Sequence, residues 1–158
     1  MRLKVVCVGQ KMPDWVDDGV AAYRKRFPRE MPLDIVAVPM APRPGKNPDV
    51  GRAVARESEQ LLASIGRDDI VVALEVGGQS WSTEKLARRL EDWQMDGRDL
   101  VFLVGGPDGL SKACRQRADL QWSLSALTLP HPLVRVILAE QLYRAWTVVC
   151  GHPYHRAG

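Results

Sequence analysis

The carboxyl-terminal part of the chain concentrates side chains that could bind an anionic substrate and move a proton. Arg144 lies on a predicted helix, and the short segment HPYHR follows it from His152 to Arg156. His155 belongs to the residue type that titrates near neutral pH, and guanidinium groups bind phosphate or developing negative charge. The ring of Tyr154 could stack on a base or its hydroxyl could donate a hydrogen bond. These residue types indicate a site for an anionic substrate.

Other interpretations of the same side chains stay open on sequence alone. His155 could be an exposed tail residue without a role. Arg144 could serve partly in an i, i+4 helix pair with Glu140, worth about 0.2–0.5 kcal/mol. His152 and His155 could suggest metal binding, but Pro153 lies between them and no third ligand is obvious. We therefore predict no metal site.

A second group of segments could hold a small ligand through backbone groups. Each lies at the carboxyl end of a predicted strand: residues 74–78, the GGPDG turn at 105–109, and residues 124–130. Parallel sheets bind ligands in the crevice beyond the carboxyl ends of their strands, and glycine lets backbone approach a ligand closely. GGPDG taken alone could equally be a tight turn that needs positive φ. It contains neither GK[ST] nor GxGxxG, so a ligand with adenine and ribose but no phosphates would be better matched.

Alternating strands and helices are predicted to position these segments. Short apolar runs indicate buried strands at 3–8, 33–38, 69–76, 100–104 and around 120–124. Helices are predicted from Pro13, after Asp49, from the Ser82 cap to Gly97, near 111–118, and from about Pro132. The segment 40–49 contains three prolines and is predicted to be a loop. This order predicts an α/β fold with a mostly parallel sheet flanked by helices.

Composition and length fit an ordinary globular chain. Its 158 residues are 46% hydrophobic and 26% charged, with a net charge of +3, and they predict a single domain over 1–158. Three separated cysteines without a CxxC spacing indicate small hydrophobic residues in a reducing compartment. The amino-terminal apolar run is too short for a signal or membrane segment, so we expect a cytoplasmic protein that does not contact a membrane.

Three stretches together carry a resemblance to a known family. The GGPDG turn, the run LSALTLPHPLVRVILAEQLYRAW and the ending HPYHR resemble the SPOUT class of knotted methyltransferases. Within that class they are similar to the RlmH family, small enzymes that methylate N3 of a pseudouridine in large-subunit (23S) ribosomal RNA. The resemblance covers essentially the whole chain, including the opening VVCVGQKMPDWV.

The resemblance implies a fold and a cofactor that the pattern alone does not. Family members have a carboxyl-terminal deep trefoil knot, form homodimers and use S-adenosyl-L-methionine, which is held in the knotted region. Carried onto this chain, the cofactor contacts would be Leu74, Gly105, Leu124, Ser125, Ala126, Leu127, Thr128 and Leu129. These small and apolar residues suit adenine held by backbone amides and aliphatic walls.

The resemblance also implies that the tail completes the active site. His155 would accept the N3 proton, Arg144 and Arg156 would hold phosphate or developing negative charge, and Tyr154 would contact a base. The mild net charge indicates that an assembled ribosome, rather than naked RNA, is the substrate. The alternative is a ribosome-associated RNA-binding module without catalysis.

Several further residues keep open interpretations. Arg43, Lys46, Arg52 and Arg56 could contact RNA backbone or form a solvated face. His131 is interpreted as a residue at the start of a helix that makes a local hydrogen bond. Apolar residues of the last helix are candidates for a subunit interface: Leu133, Val136, Ile137 and Leu142.

Overall fold

One parallel sheet of five strands organises the protein in the computed structural model, which describes residues 1–156. The strands are β1 (Leu3–Val8), β2 (Leu33–Val38), β3 (Ile70–Ser80), β4 (Leu100–Val104) and β5 (Leu120–Ser123). Their order across the sheet is β2-β1-β4-β3-β5, and every pairing is parallel. The predicted α/β class with a mostly parallel sheet is therefore confirmed.

Helices cover both faces of the sheet. They are α1 (Asp14–Arg24), α2 (Val50–Ala63), α3 (Thr83–Asp96), α4 (Lys112–Arg117) and α5 (His131–Cys150), followed by a 3-10 turn at Pro153–His155. Alternate residues of β1 enter two separate cores, because successive strand side chains point to opposite faces. Val5 packs in the core beneath α3 and α5, and Val6 in the core beneath α2 and α4.

Local sequence signals explain where the helices begin and end. The side chains of Asp49 and Ser82 accept hydrogen bonds from the backbone amides of Arg52 and Lys85, which caps the amino-terminal ends of α2 and α3. Gly97 ends α3 with a φ of 86°, a left-handed conformation that favours glycine. The capping residues predicted from sequence are confirmed at Ser82 and Gly97.

The third strand differs from its predicted end at Val76. It continues through the two glycines to Ser80, because pairing with β5 resumes beyond them. Leu74 and Gln79 are both registered opposite Trp122, so residues 75–78 leave the regular ladder; we call this segment the β3 excursion. At Gly78 a Cβ atom would lie 2.7 Å from the backbone nitrogen of Trp122, which explains why a glycine is needed there.

Part of the long helix α5 packs into the core. Leu138, Ala139, Leu142 and Ala145 are fully buried within the chain's own core. The assignment of Leu142 to a subunit interface is therefore wrong, since its side chain is already covered by the same chain. The remaining candidates of that group on α5 are only half-buried, and their role in an interface stays a prediction.

Two expectations from sequence are not decided by this architecture. The threading of the carboxyl-terminal segment into a trefoil knot stays a prediction, as does the single domain over 1–158. Within residues 1–156, none of the helices combines the length and apolarity that crossing a bilayer requires.

Candidate functional site

A cavity of about 640 Å³ lies at the carboxyl ends of β3, β4 and β5. Its position agrees with the rule that parallel sheets bind ligands beyond the carboxyl ends of their strands. Its walls are the start of the β3 excursion, the turn after β4, the segment between β5 and α5, and the first turn of α5. The volume falls within the range of about 300–1,000 Å³ that is typical of small-molecule sites.

The structure brings together nearly all the residues that the sequence predicts for a cofactor. Seven of the eight line the cavity: Leu74, Gly105, Leu124, Ser125, Leu127, Thr128 and Leu129. Ala126 is the exception, since it lies in the same segment but not on the cavity wall. Side-chain oxygens shape this segment: the Ser123 hydroxyl donates to the carbonyl of Ser125 at 2.9 Å, and the Leu127 amide donates to the Ser125 hydroxyl at 2.9 Å.

The turn after β4 forms a wall that only glycine permits. The amide of Gly109 donates to the carbonyl of Gly106 at 3.1 Å, and Gly109 has a φ of 77°. A Cβ atom at Gly105 would lie 2.5 Å from the carbonyl carbon of Gly109, so the backbone of the turn would have to move. The glycines therefore allow two backbone segments to approach closely beside the cavity.

Two titratable side chains are among the residues that line the cavity, Glu75 and His131. Burial raises the pKa of Glu75, and the nearby Arg115 guanidinium offsets part of this effect. Burial, reinforced by the positive charge of Arg135, lowers the pKa of His131. For both side chains burial thus favours the uncharged form. Across residues 1–156, no group of three potential metal-ligating side chains is found.

Buried polar atoms of the wall have unused hydrogen-bonding capacity. Within residues 1–156 no partner is found for the Glu75 Oε1, the Trp122 Nε1 or the His131 Nδ1. His131 begins α5 as predicted, but its Nδ1 does not make the local hydrogen bond expected from sequence. Buried polar groups are normally satisfied, so a cavity with several unsatisfied groups fits a ligand that supplies both donors and acceptors.

An aromatic stack supports the cavity from the α3 side. Trp122 stacks on Trp81 with ring centroids 5.0 Å apart and an interplanar angle of 17°. The Arg89 guanidinium carbon lies 4.4 Å from the centroid of the Trp81 ring, in cation–π geometry. Trp122 is thus held in a fixed orientation where it contributes to the wall.

Arg135 joins α5 to the end of β1. Its side chain is buried, and Nη2 donates to the carbonyls of Val8 at 2.9 Å and Gly9 at 2.6 Å. It lies one helical turn beyond His131, so it fixes the first turn of α5 beside the cavity. Sequence reasoning missed Arg135, because nothing in a helix sequence reveals that distant carbonyls will cover a guanidinium.

Arg43 is bound by two carboxylates. This arrangement supports neither of the two interpretations from sequence, an RNA contact or a residue on a solvated face. Its Nη1 donates to Glu57 at 2.8 Å, and its Nε donates to Asp108 at 2.8 Å. Glu57 is 2% exposed and also accepts a hydrogen bond from the amide of Ala41 at 3.0 Å. Arg43 therefore connects the loop before α2 to the turn that lines the cavity.

The tail residues gather around a carboxylate on α5. Glu140 accepts hydrogen bonds from Arg144 Nε at 2.7 Å and from the Tyr154 hydroxyl at 3.2 Å. The guanidinium carbon of Arg144 lies 5.0 Å from the centroid of the Tyr154 ring. The hydrogen bond with Glu140 raises the pKa of Arg144, and burial together with a hydrogen bond to Tyr23 raises the pKa of Tyr154. Both groups therefore stay protonated at neutral pH.

The other two tail residues lie near this group but not against the cavity. His155 is half-buried and its Nδ1 has no hydrogen-bond partner within residues 1–156, whereas Arg156 is exposed. None of the four predicted catalytic residues lines the cavity. From His131 to Arg144 the helix rises about 20 Å, at about 1.5 Å per residue. One copy of the chain thus presents the predicted cofactor site and the predicted substrate site at separate places.

Comparison with known proteins identifies relatives across nearly the full chain. Residues 1–155 match the family described as "Predicted SPOUT methyltransferase". The chain is 60% identical over 156 residues to the ribosomal RNA large subunit methyltransferase H of Hahella chejuensis, covering 99% of both chains. It is 54% identical over 156 residues to the protein of the same name from a Marinomonas species, covering 99% of this chain and 100% of the other.

A solved structure shares the fold at low sequence identity. The structure of a probable methylase family protein from Haemophilus influenzae superimposes with a TM-score of 0.57 and 10% identity. The match covers 98% of this chain and 70% of the other. This likeness supports the fold described above.

Proposed function

Because the chain belongs to the SPOUT methyltransferase family, in its RlmH branch, we propose that it methylates N3 of a pseudouridine in 23S ribosomal RNA. The relatives at 54–60% identity are named as methyltransferases of large-subunit ribosomal RNA, which supports this class of substrate. We further propose that S-adenosyl-L-methionine is the methyl donor and that the acceptor is the assembled ribosome in the cytoplasm.

The observation that carries the proposal is the cavity at the carboxyl ends of β3, β4 and β5. Its volume of about 640 Å³, its apolar lining and its unsatisfied buried polar atoms suit an adenosyl ligand with a charged amino-acid arm. The residues that would hold the donor are the seven predicted positions on its wall, Leu74, Gly105, Leu124, Ser125, Leu127, Thr128 and Leu129. Ala126 would not contact the donor and would contribute only to the backbone conformation of the segment between β5 and α5.

When bound, the donor would supply an electrophilic methyl group to N3 and leave as the neutral thioether, while N3 would lose its proton. His155 would accept that proton, since histidine is the side chain that most often serves as a general base. Arg144 and Arg156 would bind the RNA backbone or stabilise the base as it becomes anionic. Tyr154, held by Glu140, would orient the base through stacking or its hydroxyl.

We propose that a second copy of the chain brings its tail to the cavity. Within one copy the tail and the cavity lie at different positions along α5, roughly 20 Å apart along the helix axis. A symmetric homodimer would join each cavity to the tail of the other subunit. Half-buried apolar residues on α5, among them Leu133, Val136 and Ile137, are available for such an interface.

The direct test is transfer of a labelled methyl group from S-adenosylmethionine to ribosomes that lack this modification. We expect label at one pseudouridine of 23S RNA, more on whole ribosomes than on naked RNA, and at least about 100-fold less with His155→Ala. Label on another nucleotide would reject the proposed specificity. Tight ribosome binding without any binding of S-adenosylmethionine would instead identify a non-catalytic RNA-binding module.

A further inference from the structure

Among residues 1–156, Glu75 is the one acidic side chain on the cavity wall. It lies in the β3 excursion, where the backbone leaves the regular ladder directly after Leu74. Its side chain is 21% exposed, and its Oε1 is buried without a hydrogen-bond partner within residues 1–156. The carboxylate therefore faces a largely apolar cavity with unused capacity to stabilise a cation.

The nearest cation compensates this charge only in part. Arg115 Nη1 lies 3.7 Å from Glu75 Oε1, which is an ion-pair distance but too long for a hydrogen bond. The same Nη1 donates to the carbonyl of Leu110 at 2.6 Å, and the Arg115 side chain is 41% exposed. Solvent weakens an ion pair with an arginine this exposed, so Arg115 offsets the charge of an ionised Glu75 only in part.

The other titratable group of the wall does not cancel the carboxylate. Burial lowers the pKa of His131, so its imidazole is neutral at neutral pH. The remaining lining residues are apolar, glycine, or hydroxyl-bearing. Among residues 1–156, Glu75 is therefore the lining side chain that can present a negative formal charge to a ligand.

The methyl donor and its demethylated product differ in formal charge. S-adenosylmethionine carries a sulfonium cation, whereas S-adenosylhomocysteine has a neutral thioether in its place. Both molecules share the adenosine, the ammonium and the carboxylate, so only the sulfonium charge and one methyl group distinguish them. Specificity is a difference of affinities, and a carboxylate in a low-dielectric wall favours the cationic member of such a pair.

We propose that Glu75 makes the cavity discriminate the methyl donor from the demethylated product, by stabilising the sulfonium charge that only the donor carries. This inference rests on the proposed use of S-adenosylmethionine. It gives the carboxylate a role in the cycle: affinity for the adenosyl ligand falls once the methyl group has left, which favours release of the product and binding of new donor.

The test compares the affinities of both ligands in calorimetric titrations of the intact protein. We expect Glu75→Gln to lower the ratio of the product's Kd to the donor's Kd by roughly tenfold, which is about 1.4 kcal/mol, through weaker donor binding. The affinity for S-adenosylhomocysteine should change by less than about twofold, because its adenosine contacts are untouched. Glu59→Gln removes the same charge from an exposed position of α2 and should leave the ratio unchanged.

Two further measurements distinguish the effect of side-chain shape on ligand affinity from the effect of side-chain charge. Glu75→Asp retains the charge on a shorter side chain. Its ratio of the product's Kd to the donor's Kd should stay close to that of the wild type. Sinefungin, in which a carbon bearing a protonated amine replaces the sulfonium, should follow the donor and lose affinity with Glu75→Gln. Melting temperatures of the unliganded variants check that each one is folded.

The outcomes separate the two proposals. Equal weakening of donor and product by Glu75→Gln would mean that the carboxylate contacts the shared ribose or ammonium, and would overturn the inference. An unchanged ratio would overturn it as well. If the wild-type protein binds neither ligand, the proposed function itself fails, and that result is visible before any variant is made.

Discussion

Arg43 Nε lies 2.8 Å from Oδ2 of Asp108, so a single ion pair joins the loop before α2 to the turn that lines the cavity. The same guanidinium contacts Glu57, whose carboxylate is 2% exposed. Because Glu57 has no other cationic partner among its described contacts, Arg43 is what compensates this buried charge. The loop, the helix α2 and the cavity wall are therefore coupled through one residue.

Replacing Arg43 by methionine should destabilise the fold strongly. The change leaves Glu57 buried without a cation, and breaking a buried pair in this way costs about 3–5 kcal/mol. Urea unfolding measures the loss, with Arg56→Met as an exposed control that should change stability by less than about 0.5 kcal/mol. The double variant Arg43→Met, Glu57→Gln should recover more than half of the lost stability. A single-variant cost no larger than that of Arg56→Met would refute this assignment.

A methyl group at Gly105 should impair ligand binding. Its Cβ would lie 2.5 Å from the backbone of Gly109, so the turn must shift into or away from the cavity. We expect Gly105→Ala to weaken binding of S-adenosylmethionine at least about tenfold, which calorimetry detects directly. Gly77→Ala is the matched control, because a Cβ at Gly77 meets nothing within 4 Å. Equal affinities of the two variants would show that the turn tolerates the added atom.

The raised pKa of Glu75 predicts a pH-dependent stability difference in the absence of ligand. A carboxyl with a higher pKa in the folded than in the unfolded chain binds its proton more firmly when folded. Ionised Glu75 therefore lowers the free energy of unfolding as pH rises above the unfolded value of about 4.3. Glu75→Gln should match the wild type near pH 4 and be more stable than the wild type at pH 7.5.

Urea unfolding at the two pH values checks this difference. Glu59→Gln controls for removing a negative charge from the surface, and it should show no such change with pH. A wild-type protein that is more stable than Glu75→Gln at pH 7.5 would mean that the protein stabilises the carboxylate in the folded state, contrary to the prediction.

The separation of tail and cavity predicts complementation between subunits. His155→Ala damages the proposed tail and Gly105→Ala the proposed cavity, so each variant alone should transfer little methyl label. In a mixed dimer, the intact cavity of one subunit would meet the intact tail of the other. Random exchange makes half of the dimers mixed, each with one functional site, so we expect about a quarter of wild-type activity. A mixture as inactive as its components would mean that each tail serves its own cavity.

Much of the fold follows from local sequence signals. The apolar runs of β1, β2 and β4 mark these strands to the residue: β4 is apolar and buried throughout, and β1 and β2 are apolar apart from one charged residue each. The end of β3 was placed too early, since Gly77 and Gly78 weaken a strand locally while the structure resumes pairing with Trp122 beyond them. Long-range pairing overrode local propensity there.

The candidate site was predictable only in part. Backbone segments such as the turn at Gly105 carry a recognisable pattern, and the cavity forms there. Glu75 and Arg135 carry no such pattern, since a lone charged residue in a strand or helix is usually solvated. The environment of Arg135 comes from elements distant in sequence: the carbonyls of Val8 and Gly9 accept from it, more than one hundred residues away. Such roles emerge only from the folded chain.

The β3 excursion leaves the sheet and rejoins it opposite the same residue, Trp122. The pairing of β5 therefore does not depend on how many residues the excursion contains, and changing the length of such a segment costs little conformational entropy. We expect that residues can be added to this part of the wall while every strand keeps its partner. It is the natural place to enlarge the cavity for synthetic sulfonium donors that carry an alkyl chain longer than methyl.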